Sequence, residues 1–114
     1  MQSAIEVGEK FHIITQRQFK EEVRRHFAGT VTAVSEGLMR AEGYSFICNP
    51  TTLAYRRLAG LRTRIFGLSG GGYILNILPS DVLIERLHYT TSGPLTLVDG
   101  IGFRLEVNEF NASS

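Results

Sequence analysis

Seven residues of the chain have the types and spacing to hold an anion: Arg24 and Arg25, then Tyr55 directly before Arg56 and Arg57, then Arg62 and Arg64. On a strand through residues 61–67, alternate side chains face opposite ways. Arg62, Arg64 and Phe66 then point to one side, and Leu61, Thr63 and Ile65 to the other. Basic groups beside aromatic rings suit a single-stranded nucleic-acid surface, where guanidinium groups contact phosphate and rings stack on bases. Arg24 and Arg25 extend the patch if their element packs nearby. The competing account is ordinary structure, with arginines paired to carboxylates across strands and Phe66 in the core.

Charge distribution supports an interaction surface without naming a partner. The chain of 114 residues carries a net charge of +1, with twelve basic and eleven acidic groups. Residues 11–70 hold nine basic against four acidic groups, a net +5, whereas residues 71–114 hold two against five, a net −3. Clustered arginine sets a local positive potential whatever the total charge.

Catalytic chemistry has little to build on. His12, His26 and His88 share no helical i, i+4 spacing and no zinc-type motif. His12 is expected to face solvent from a strand, and His26, beside Arg24, Arg25 and Phe27, to be a surface imidazole. Cys48, the single cysteine, is expected to pack as a small hydrophobe, since one thiol makes neither a disulfide nor a multi-cysteine metal site. Ser69-Gly70-Gly71-Gly72 is followed by Tyr-Ile-Leu-Asn-Ile-Leu-Pro. That suits a strand, whereas a phosphate loop needs a helix there, with a Lys-Ser/Thr pair. No cofactor, metal site or catalytic residue is expected.

These groups must be placed by elements legible in the pattern. Phe11, Ile13 and Ile14 favour an extended segment over residues 10–15. Thr15 with Gln18 matches a capping box, Phe19, Val23 and Phe27 recur every four residues, and Gly29 follows. This predicts one amphipathic helix over Gln16–Phe27. Beyond Gly29 the period becomes two. Strands are expected over 30–34, 38–48, 53–58, 61–67 and 73–78, with Gly43 as a bulge or bend. Turns are expected at Glu36-Gly37, Asn49 to Thr52, Ala59-Gly60 and Ser69 to Gly72. Residues 80–88 suit either a short helical turn or a strand. Ser92-Gly93-Pro94 reads as a turn, Leu95–Val98 as a strand and Asp99-Gly100 as a hairpin turn. Phe103, Leu105 and Val107 alternate with polar neighbours, as on a half-buried strand. The fold expected is mainly β: a small antiparallel β-barrel or sandwich of about seven or eight short strands with one N-terminal helix.

A helix at 16–27 leading through Gly29 into Thr-Val-Thr-Ala-Val and a bent run of short strands up to Leu78 resembles the element order of the Sm-like small barrels. The resemblance covers about two-thirds of the chain and leaves 80–110 as a C-terminal β extension. The Asp-x-x-Met-Asn-like signature after the first hairpin is absent, and Asn76-Ile77-Leu78-Pro79 stands where an Arg-Gly pair would precede the last barrel strand. Those residues form the family's RNA pocket. The resemblance therefore implies a ring-forming or self-associating barrel and carries over no binding residue.

Length and composition fit one domain over residues 1–114, because 43% hydrophobic residues lie near the globular average of about 45–50%. There is no apolar run near the ~18–20 residues of a membrane helix, and the N-terminus lacks the pattern of a secretory signal. The Asn111-Ala112-Ser113 sequon is then a chance match. A cytoplasmic protein that binds no membrane is expected. Its leading function is a non-enzymatic binding or assembly module that forms a homo-oligomer or meets a protein partner. Single-stranded nucleic-acid (RNA) binding through Arg24, Arg25, Tyr55, Arg56, Arg57, Arg62 and Arg64 is the alternative.

Overall fold

Two antiparallel sheets organise the chain. The structure, a computed structural model, describes residues 4–15, 25–48, 55–68, 73–90 and 95–107. The larger sheet contains β1 (Lys10–Thr15), β2 (Arg25–Ser35), β3 (Leu38–Cys48), β4 (Tyr55–Arg57), β5 (Arg62–Gly67) and β6 (Tyr73–Leu78). Its path runs β4-β3-β2-β1-β6, and β5 also pairs with β3. The eleven-residue β3 serves both, matching β5 over Leu38–Gly43 and β4 over Phe46–Cys48. A 3₁₀ turn (Ile84–Arg86) then leads into the smaller sheet of β7 (His88–Thr90), β8 (Thr96–Val98) and β9 (Arg104–Glu106).

Register assigns every strand residue to a face, since directly opposed residues of an antiparallel pair project to the same side. One face of the large sheet carries Phe11, Ile13, Phe27, Val31, Met39 and Ala41, which form one core cluster with partly buried Phe66 and Leu75. The other carries Ile14, Ala28, Phe46, Cys48, Tyr55 and Leu78. These pack against Val82, Ile84, Leu87, Tyr89, Leu97 and Val107 in a second cluster. The described residues of 80–90 and 95–107 are thus the cover of one sheet face. Lys10 fastens that cover, its Nζ donating to the carbonyls of Ser80 (2.7 Å) and Val82 (2.6 Å).

The large sheet is sharply bent at one pair of glycines. Gly29 and Gly43 are directly opposed, and a Cβ on Gly43 would lie 2.0 Å from the Ala28 carbonyl oxygen. Only glycine permits this approach. A register shift between Val31 and Ala33 adds twist just beyond it. Gly43 therefore makes the bend expected of it, while the bulge lies on the opposite strand. The sheets do not close into a barrel. Among the described residues β5 pairs only with β3, and β6 only with β1.

The N-terminal helix requires correction where the chain is described. Arg25, His26 and Phe27 open β2, with His26 and Phe27 on opposite faces, so the segment has period two there. Gly29, expected to cap that helix, lies inside the strand. The other residues of the expected helix, 16–24, lie outside the described residues. So do Asn49 to Thr52, Ser69 to Gly72, Ser92 to Pro94 and the sequon. The strand expected over 73–78 is β6, and the segment 80–88 becomes the 3₁₀ turn and the start of β7. The Asp99-Gly100 turn is part of a five-residue connection, 99–103, between β8 and β9. Asp99 Oδ1 organises it by accepting the amides of Ile101 (2.9 Å) and Phe103 (3.0 Å). The Ile101 amide is the main cause holding the Asp99 carboxyl below its usual range.

Candidate functional site

The arginines divide between the two faces. Arg25 and Arg56 both oppose Ile47, from β2 and β4, and Arg62 and Arg64 oppose Gly43 and Ala41 from β5. All four therefore share the face that carries Phe27 and Phe66, and all four are exposed. The bend carries this further. Ile47 and Ala41, the partners of Arg25 and Arg64, are six residues apart, about 20 Å on a flat strand. Yet Arg25 and Arg64 line one pocket, with Phe27, Ser45 and Phe66.

Two other expected surface residues have different roles. Tyr55 is buried, stacked on His26 with ring centroids 4.5 Å apart and packed on Tyr89 at 5.0 Å, so it offers no platform for a base. Its position opposite Cys48 fixes it on the covered face. Arg57, opposite Phe46, lies over the ring of Tyr44 at 4.7 Å, and its Nη1 donates to the Glu85 carbonyl. It ties the large sheet to the 3₁₀ turn. Arg24 lies outside the described residues.

The polar group that sequence reasoning placed wrongly is a buried pair of histidines. Neither His12 nor His26 faces solvent; their exposures are 0% and 2%. Both project to the covered face from adjacent strands, with ring centroids 5.2 Å apart. The hydroxyl of Tyr89, on β7, meets both, at 2.7 Å from His12 Nε2 and in hydrogen-bond contact with His26 Nδ1. A hydroxyl donates once, so one histidine must donate to it. His12 Nδ1 is buried without a partner. An orphaned N–H is costlier there than an orphaned lone pair, which assigns the Nε2–H tautomer to His12. His12 then donates to the Tyr89 hydroxyl.

Burial, with the neighbouring His26 second, lowers the pKa of His12 to about 3, so its imidazole is neutral at ordinary pH. The available signal was parity: His12 lies between Phe11 and Ile13 on a strand, and such a residue is buried when both sheet faces are covered. Cys48 is buried, as expected of a packing thiol. Among the described residues no group of three His, Cys, Asp or Glu side chains is placed to hold a metal, and no helix is long and apolar enough to cross a membrane.

Comparison with protein-family models, with curated proteins and with solved structures finds no match to the chain. The structure is that of a mainly β protein of two antiparallel sheets, with a sharply bent six-stranded sheet and a three-stranded cover.

Proposed function

We propose that the protein is a non-enzymatic assembly module that associates with copies of itself through the edges of β5 and β6 that have no partner among the described residues. The observation that carries this is the state of β6. It is six residues long, Tyr-Ile-Leu-Asn-Ile-Leu, and has neither a charge nor a proline. Its outer edge pairs with nothing among the described residues, and Ile74 and Ile77 are 56% and 48% exposed. Monomeric proteins guard such edges by shortness, charge, proline or bulges, because an open edge templates another strand. The three-residue strands β4, β7 and β9 follow that rule and β6 does not.

At the other side of the sheet, β5 is equally long and exposes Ile65 beside the neighbouring Leu61. Pairing β6 of one copy with β5 of the next is head-to-tail, so it closes a ring or extends a filament. Light scattering on the purified protein tests this. A defined oligomer that Ile74→Lys dissociates, with the β spectrum retained, supports the proposal. A monomer at hundreds of micromolar overturns it.

A further inference from the structure

Two copies can join the edge of β5 to the edge of β6 in two orientations, and the charges beside the edges distinguish them. Ile65 and Ile74 are the most exposed large hydrophobic residues of the two strands, at 59% and 56%. Setting them opposite one another removes both from water. It also continues the face of Arg62, Arg64 and Phe66 onto Leu75 and Ile77 of the next copy, since opposed residues project to one side. With the strands antiparallel, Arg62 then falls opposite Ile77, which in turn opposes Phe11 of β1. Glu9 lies two residues before Phe11. Its carbonyl accepts the Val31 amide at 2.8 Å, which extends the pairing of β1 with β2 and puts Glu9 on the same face as Val31. On a flat sheet the Cα atoms of Arg62 and Glu9 are then about 12 Å apart, two strands across and two residues along, a gap that an extended arginine and a glutamate span. With the strands parallel, Arg62 falls beyond the start of β6, at the end of β1 that carries uncharged Thr15.

Both charges are placed to meet a second copy. Among the described residues neither Arg62 nor Glu9 forms an ion pair; Arg62 is exposed, and Glu9 Oε1 accepts only the nearby Glu6 amide, at 2.7 Å. Lys10, next to Glu9, faces the other side and gives its Nζ to the Ser80 and Val82 carbonyls. Exposed Glu6 adds a second negative charge beside Glu9. We infer that neighbouring copies join antiparallel, with Ile65 opposite Ile74, and that Arg62 of one copy pairs with Glu9 of the next and so selects this orientation. The inference rests on assembly through these two edges. Complementary charges at a contact fix its orientation and register more than they add affinity.

Disulfide trapping and charge exchange test this on the whole chain. With Ile65 opposite Ile74, antiparallel strands oppose Thr63 and Asn76, whereas parallel strands oppose Gly67 and Asn76. Opposed antiparallel residues lie about 4.5–5.5 Å apart at Cα, within the span of a disulfide. On mild oxidation a mixture of Thr63→Cys and Asn76→Cys should give a linked pair of chains, and a mixture of Gly67→Cys and Asn76→Cys should not. Arg62→Glu and Glu9→Arg should each raise the dissociation constant about fivefold at low salt, the upper range for an exposed ion pair, and both exchanges in one chain should restore it. An assembled parent in which the Gly67→Cys mixture is trapped instead overturns the antiparallel orientation but leaves the edges as the contact. Charge exchanges that have no effect singly, or that the double exchange fails to restore, overturn the pairing of Arg62 with Glu9. A parent that is monomeric, or that Ile74→Lys fails to dissociate, overturns this inference together with the edge contact itself.

Discussion

Phe27 and Phe66 stand with ring centroids 5.3 Å apart, although their partners on β3, Ser45 and Met39, are six residues apart. On a flat sheet that separation is about 20 Å. The contact therefore exists because β2 and β3 fold over at Gly29 and Gly43, and the same bend brings Arg64 to Arg25.

The bend predicts an asymmetry between glycines. In Gly43→Ala the new methyl would meet the Ala28 carbonyl and the Gly29 Cα, both backbone, which cannot move aside without unbending the sheet. Urea denaturation should show a loss of about 3 kcal/mol or more, the upper range for overpacking. At Gly67 a Cβ meets nothing within 4 Å, so Gly67→Ala should stay within about 0.5 kcal/mol of the parent. Equal effects would mean that the glycine pair does not set the bend.

Tyr89 joins the sheets through its hydroxyl. Tyr89→Phe keeps the ring packed against Phe46 and Tyr55 but leaves the Nε2–H of His12 without an acceptor. The expected cost is about 1–3 kcal/mol by denaturant unfolding, the penalty for a buried polar group that loses its partner. A neutral result would show that the bonds to Tyr89 contribute nothing to the joint.

Acid should loosen the same joint. His12 titrates near its ordinary 6.5 when unfolded and at about 3 when folded, so between these values the unfolded chain binds the extra proton. Its contribution is intact above pH 6.5 and is lost as pH falls toward 3, with a limiting slope of about 1.4 kcal/mol per pH unit. Asp99, also depressed when folded, acts in the same direction but only below its ordinary value of 3.8. Unfolding free energies measured between pH 7 and pH 4 should therefore fall in the parent and flatten in His12→Phe. An unchanged slope in that variant would remove His12 as the cause.

Much of the strand layout was legible because alternation and turn residues are local. Residues 73–78 read as a strand bounded by Pro79, and the side-to-side order of Arg62, Arg64 and Phe66 follows from parity alone. The misplaced elements share a different cause. Phe27 continues an i, i+4 series with Phe19 and Val23, yet it also shares a strand face with Arg25 and alternates with His26. Contacts with β1 and β3 hold it in the strand, and these are distant in sequence. Local sequence around His12, His26 and Tyr55 suggests exposure because the cover that buries them, the described residues of 80–90 and 95–107, comes much later in the chain. Of the candidate surface, Arg25, Arg56, Arg62 and Arg64 share one face. Arg57 and Tyr55 have structural roles on the other.

Head-to-tail pairing of edges can be seen directly with two single-cysteine additions, because Cys48 is buried and will not compete for reagent. Ile65→Cys places a thiol on β5 and Ile74→Cys places one on β6, both at exposed positions. Treated with a short bismaleimide, a mixture of the two variants should give a cross-linked pair of chains in high yield, and neither variant alone should do so. Failure of the mixture to cross-link, or equal cross-linking of either variant with itself, would contradict assembly through the β5 and β6 edges.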